Sequence, residues 1–396
     1  MLKDFIKYIK PDNNIFDKEP KYIYNNIKNK FDGEISINFS PKVPETFIIN
    51  RRKYIDSDTE SDYYKYLELC RGLIFRLTET SDIDMICWNF PQYFETQTQL
   101  NKKYIKYTPI IDGTIIRLYY NPDTLGWCLA TNRHLDAFNA KWEDSKRTFG
   151  SIFTKVIKKM NINFDKLTET LDKTYTYIFC LVDSNVSKFK SYPKESKVYL
   201  ISTYSLKEHK EIFNNKIKGI PTIPVMDYSP ECSENLDIGF IDDNIKPIGY
   251  AYIAEDYTRN IIYDSKTQRI RKYISNIPEK NTEFIALKAI KSGQYEDYIK
   301  LFPENELEAE SIKDKYDKLI NNIYKKYVAK FISNRRRNKS RKPLKISEID
   351  SILMTAIHEY YFKHGIVIDQ YSIKSIISTQ VSTAIIAHAL DIKLKK

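Results

Sequence analysis

The sequence predicts an α+β protein: a domain of antiparallel sheets with flanking helices over residues 1–275, then an all-helical domain over residues 276–396. Three observations predict it. Between about residues 30 and 275, short β-branched and aromatic runs are divided by turn signals. From residue 276 onward, apolar residues recur at helical spacing. The chain has only 10 glycines, no Gly-rich phosphate loop and no regular β-α-β alternation, which excludes P-loop and Rossmann readings.

Taken in order, the strand runs are EISINF (34–39), GLIFRL (72–77), GTIIRLYY (113–120), GWCLATN (126–132), TYTYIFCLV (174–182), KVYLISTYSL (197–206) and IGYAYIA (248–254). Helical patterns interrupt them at 151–161 (SIFTKVIKKMN) and 205–217 (SLKEHKEIFNNKI). Strands mixed irregularly with helices and joined by hairpin-like links imply antiparallel pairing. The helical part reads as segments 283–302, 309–334, 346–365 and 371–394, broken at FPENE, RRRNKSRKPLK and HGIVID. There is no internal repeat.

Hydrophobic residues make up 42% and charged residues 29%, the balance of a globular rather than a disordered chain. The net charge of +11 favours an anionic partner such as RNA or another polyanion. An AT-rich genome, such as that of a large DNA virus, would raise lysine, isoleucine, asparagine and tyrosine without such a partner. Cys70, Cys87, Cys128, Cys180 and Cys232 are odd in number and contain no C-x-x-C pair, which points to a reducing compartment without a disulfide framework. His134, His209, His358, His364 and His388 have no metal-ligand spacing, so no metal site is expected. The polar opening MLKDFIKYIKPDNN and the absence of a long apolar window predict an intracellular protein with no membrane segment, in the cytoplasm or the nucleus.

An Asp-Gly turn, Asp112–Gly113, interrupts the strand-forming run YTPIIDGTIIRLYY at 107–120. Such a pair is a favoured tight turn in its own right. Around it, segments recur in an order that resembles the phage-type RNA ligases, members of the covalent nucleotidyltransferase superfamily. CRGLIFRL is similar to that family's arginine-glycine element, with Arg71 and Gly72, and FPQYFE to its aromatic segment. IIDGT stands where the family has Lys-x-Asp-Gly; YTYIFCLV corresponds to its Phe-Glu-Leu strand, KPIGYAYI to its Glu-Gly strand, and RIRKY to its closing Lys-x-Lys. The opening of the helical domain, IALKAIKSGQYEDYIKLFPENE, is also similar, so the resemblance spans roughly 60–320.

The resemblance implies a lysine that attacks ATP, carries AMP and passes it to an RNA 5′-phosphate. Carried over residue by residue, the nucleophile becomes Ile110, the phosphate-contacting lysine Gln92, and the two glutamates Cys180 and Ile248. Arg71, Gly72, Asp112, Gly113, Arg269, Arg271 and Lys272 remain as a residual pocket. A neutral amine is needed for attack, and cations with a divalent metal stabilise the charge that builds during phosphoryl transfer. Isoleucine has no lone pair to donate.

Three readings follow. The first is a catalytically defective RNA-ligase-like protein that binds RNA or another polyanion and needs no cofactor. The second is an active ligase with a displaced nucleophile among Lys102, Lys103 and Lys106, which would use ATP and magnesium. The third is a structural or interaction protein that keeps only the fold. The basic run RRRNKSRKPLK contributes the candidate nucleic-acid contacts Arg335, Arg336, Arg337, Lys339, Arg341 and Lys342, with nuclear import or a solvated loop as alternatives.

Overall fold

A computed structural model describes residues 1–10, 19–41, 43–52, 61–80, 82–91, 93–95, 104–141, 146–183, 195–228, 247–255, 257–271, 281–332 and 346–392. The chain divides into two compact units, Met1–Asp264 and Ser265–Lys396. It is a mixed α+β protein with largely antiparallel sheets and a helical C-terminal region.

The described strands of the first unit form three sheets. Strands β1 (Ile35–Ser40), β2 (Val43–Arg51), β3 (Arg71–Leu77) and β4 (Ile83–Cys87) form an antiparallel meander in chain order. Helices α1 (Leu2–Ile9), α2 (Pro20–Asn29) and α3 (Asp62–Leu69) contribute to its core. In α1, Leu2, Phe5, Ile6 and Ile9 recur at one-turn spacing, so one stripe faces the core and buries Phe5 and Ile9 against Phe31 and Phe75. Pro20 opens α2 in the first turn, where its missing N–H leaves no helical bond unmade.

The second sheet has the order β11-β10-β9-β7-β8, made of β7 (Thr114–Asn121), β8 (Gly126–Thr131), β9 (Tyr175–Val182), β10 (Lys197–Ser205) and β11 (Lys210–Ile212). Side chains alternate across it. Ile116, Leu118, Phe179, Leu181, Val198 and Leu200 pack on helix α4 (Phe149–Lys159), through Ile152, Phe153, Val156 and Ile157. The alternate residues of the same strands, Ile115, Arg117, Cys180 and Val182, face the other way. The third sheet runs β12-β6-β13-β14-β5, from β5 (Tyr93–Glu95), β6 (Tyr104–Ile110), β12 (Met226–Asp227), β13 (Gly249–Ala254) and β14 (Arg259–Tyr263). Among the described strand pairs, β14–β5 alone is parallel.

The helix expected over 205–217 is absent. Leu206 to His209 form a turn, and β11 returns antiparallel to β10, pairing Ser205 with Lys210 and Thr203 with Ile212. His209 takes a left-handed φ of 54°, which closes the hairpin. The ladder satisfies the backbone of 210–212 and turns Glu211 inward to a buried partner, a gain that the helical spacing of Leu206, Ile212 and Phe213 did not register.

In the second unit, helices α6 (Ser265–Arg271), α7 (Thr282–Lys291), α8 (Tyr295–Leu301), α9 (Glu306–Tyr327), α10 (Glu348–His364), α11 (Gln370–Gln380) and α12 (Thr383–Ala389) follow one another. Leu287, Ile312, Tyr316, Ile320, Ile323, Leu353, Ile357, Ile373 and Ile377 are central to its core. The last turn of α9 widens into a π-helical turn, Val328–Ile332. No described helix is long and apolar enough to cross a membrane.

A reciprocal capping box starts α10: Ser347 Oγ accepts from the Asp350 N–H and Asp350 accepts from the Ser347 N–H. Lys326 of α9 donates to the same carboxylate at 2.5 Å. Burial alone would raise the Asp350 carboxyl, but the bonds from Lys326 and Ser347 outweigh it and hold the pKa below the ordinary 3.8. The stabilisation is therefore complete above the unfolded-state value and is lost as pH falls through the lower folded-state value. Asp350→Asn is expected to cost about 1 kcal/mol at neutral pH. Urea unfolding of this variant should show a smaller loss of stability than wild type between neutral pH and pH 3.

Candidate functional site

The site is best built from the end of β6. Ile110 is its last residue, opposite Gly249 of β13, and the Ile248 N–H donates to the Ile110 carbonyl at 2.8 Å. The two isoleucines that stand where the resemblance expects a lysine and a glutamate are thus backbone neighbours. One residue on, Ile111 turns inward and closes a buried apolar cluster with Cys180, Val182, Tyr199 and Ile223. Cys180 lies opposite Ile115 in the β7–β9 ladder. Burial, and then the nearby Asp112 carboxylate, push its thiol far up, so it is neither a thiolate nor a carboxylate substitute at neutral pH.

Gly113 explains the closeness of these strands. A Cβ at this position would sit 2.6 Å from Cys180 Sγ and 2.6 Å from the Leu181 carbonyl, so only glycine lets β9 approach the turn. Asp112 is buried beside it. The structure therefore brings together Ile110, Asp112, Gly113, Cys180 and Ile248.

Arg71 and Gly72 open β3. Gly72 has φ +90°, and an added Cβ would lie 2.3 Å from the Asn132 carbonyl. Arg71 Nη1 donates to the Pro91 carbonyl at 3.1 Å, while Asn89 Nδ2 donates to the Arg71 carbonyl and, at 3.1 Å, to Asn132 Oδ1. Joining this group to β7 is Arg117, a fully buried cation. Its guanidinium donates to the carbonyls of Gly72, Trp88 (3.4 Å) and Thr131 (2.5 Å). Burial pulls its pKa below the ordinary 12.5. Arg117 is two residues past Ile115 on the same face of β7, so Gly72 is tied to the strand that leaves the Asp-Gly turn.

A second buried cation crosses between sheets two and three. Arg259 Nη2 of β14 pairs with Glu211 Oε1 of β11 at 2.5 Å, and Ser202 Oγ donates to the same oxygen at 2.5 Å. The Arg259 and Glu211 side chains are 4% and 0% exposed, and the guanidinium lies 3.9 Å over the Phe90 ring. Sequence reasoning missed both Arg117 and this pair. The available signal was a lone arginine inside an apolar strand, in GTIIRLYY and in TRNIIY, where a charge is kept only if its donors are used.

Arg269 and Arg271 sit on α6 in the second unit, where Arg269 pairs with Asp297 of α8. Gln92, Lys102, Lys103, Lys272, Arg335, Arg336, Arg337, Lys339, Arg341 and Lys342 fall outside the described residues. Lys106 donates to Asp227 at 2.7 Å and lies 5.7 Å from the Phe213 ring centroid. Among the described residues, no group of three His, Cys, Asp or Glu side chains is placed to hold a metal ion.

No family model and no curated protein matches the chain. Solved structures similar to it are ATP-dependent RNA and DNA ligases at low identity. A mutant Naegleria gruberi RNA ligase with ATP and Mn aligns at 12% identity and TM-score 0.32, over 43% of this chain and 52% of that one. The chain thus spans about half the length of that enzyme. A putative ATP-dependent DNA ligase from Aquifex aeolicus aligns at 11% identity over 88% of this chain and 100% of that one, TM-score 0.38. An archaeal ATP-dependent RNA ligase aligns at 10% identity over 96% and 100%, TM-score 0.41.

Proposed function

We propose that the chain is an RNA-ligase-like protein that binds RNA and does not carry a nucleotide on a lysine of its own. One observation supports this above the others: Ile110 and Ile248, distant in sequence, are backbone neighbours, and Cys180 packs in a buried apolar cluster with Ile111, the residue after Ile110, at positions where the resemblance expects polar groups. The ordered motifs account for this placement, because a site with a common origin keeps its geometry after its chemistry has gone. The chemistry would fail at every step. Ile110 offers no nucleophile, the Cys180 thiol stays protonated, and Ile248 offers no oxygen to a divalent ion. Exchanging carboxylates for apolar groups removes a desolvation cost, which is the drift expected once catalysis no longer holds them in place.

Lys106 does not replace the amine. It is four strand residues before Ile110, about 13 Å along the chain, and it is bonded to Asp227. Binding is supported by the +11 charge and by the arginines of the 335–345 run. Incubation with α-labelled ATP or GTP and magnesium or manganese, followed by a denaturing gel, is expected to leave no label on the protein. A covalent band would overturn the reading. In a second measurement, combined alanine replacement of Arg335, Arg336 and Arg337 is expected to weaken RNA binding. The slope of log affinity against log salt should shrink by about 2, at roughly 0.7 per phosphate contact on single strands. An unchanged slope would remove these arginines from the interface.

A further inference from the structure

We propose that an aromatic ledge in the second unit, built from Phe331, His358, Tyr361 and Phe362, stacks the unpaired bases of single-stranded RNA. The proposal rests on the RNA-binding reading above and adds the place and the form of the ligand.

The π-helical turn after α9 sets Phe331 flat against His358 of α10, with ring centroids 4.2 Å apart and planes at 22°. Phe362 meets the same imidazole edge-on at 4.6 Å, and Tyr361 lies nearly parallel to it at 6.3 Å. His358 is fixed from below, since its Nδ1 and the Tyr327 hydroxyl share a hydrogen bond at 3.1 Å and Tyr327 is buried in the core. The outer members are open: Phe362 is 70% exposed, Ile332 44% and Tyr361 36%. A phenylalanine held in contact with fixed rings, yet left mostly in water, is ready for a partner with a flat face.

Charge selects the partner. Lys325 and Lys330 lie in the turns that carry Phe331, with no acid between residues 325 and 332, while Lys326 is taken up by Asp350. Lys330 Nζ is 5.0 Å from the Phe331 ring centroid. Lys363 follows Phe362, and Glu359 is the one acid between 358 and 364. In the chain, the stretch 333–345 that follows Ile332 holds seven lysines and arginines and no acid. A second copy would bring like charge against like, which is costly. Exposed π-faces bordered by cations suit bases on a phosphate backbone, where stacking and phosphate attraction act together. A duplex, with its bases already stacked, offers no free face to the ledge.

The test uses the full chain, with fluorescence anisotropy of a labelled oligouridylate of about 15 nucleotides and of a fully paired RNA duplex of the same length. Wild type is expected to prefer the single strand. Phe362→Ala is expected to lower single-strand affinity about five- to a hundredfold with the salt slope unchanged, because it removes a stacking face and no charge. Phe362→Trp, which keeps the face, is expected to restore binding. Equal binding of strand and duplex by wild type, or wild-type affinity in Phe362→Ala, overturns the ledge and leaves RNA binding standing. Absence of binding to both RNAs at low salt overturns the underlying reading together with it. A wild-type dimer that Phe362→Ala dissociates in sedimentation would assign this face to a second copy and overturn the proposal.

Discussion

Replacement of Arg259 by leucine is expected to destabilise the first unit by about 3–5 kcal/mol, because it leaves the Glu211 carboxylate buried without its cation. Glu211 is fully buried, and among the described residues its second oxygen, Oε2, has no hydrogen-bond partner. Ser202 alone would remain bonded to Oε1. The double replacement Arg259→Leu with Glu211→Leu is expected to recover most of the loss, since removing both partners also removes both desolvation costs. Urea unfolding of the two variants decides the matter. A single variant as stable as wild type would mean that the pair is dispensable, and a double variant as weak as the single would place the energy in packing on Phe90.

Arg117→Met is expected to cost more than about 3 kcal/mol, because buried carbonyls that lose a donor cost roughly 1–3 kcal/mol each. The carbonyls of Gly72, Trp88 and Thr131 lie on three different segments, and the one guanidinium holds them together. Arg117→Lys keeps the charge, but a single ammonium cannot reproduce the planar fork and is expected to recover only part of the loss. If Arg117→Met unfolds in urea within 1 kcal/mol of wild type, burying the cation costs as much as its bonds return, and the cluster is not what joins β3 to β7.

The outline of the fold was legible where one physical rule dominated. Alternation along GTIIRLYY, TYTYIFCLV and KVYLISTYSL marks strands with one face on α4, and the structure has β7, β9 and β10 there. The segments at 283–302 and 309–334 contain α7, α8 and α9, divided at Pro303. Legibility failed where a tertiary partner decides the local state. The 205–217 segment has helical spacing, yet Glu211 gains more from Ser202 and Arg259 across a hairpin than from a solvated helix face. The short strands β5, β12 and β14 are three, two and five residues long, too brief to show a period and made by pairing with β14, β6 and β13 respectively. At the site, motif order singled out Ile110, Gly113, Cys180 and Ile248. It was blind to Arg117 and Arg259, because no local pattern says where a strand arginine will find its acceptors.

The close approach at Gly113 has a consequence for motion. With Cys180 pressed under the turn on one side and the Arg259–Glu211 link on the other, strands of sheets two and three are tied at two places. Amide protons of β6, β9 and β13 are then expected to exchange with deuterium as one slow class, released by global opening rather than by independent fluctuations of either sheet. The two ties would make this part of the first unit a weld rather than a hinge.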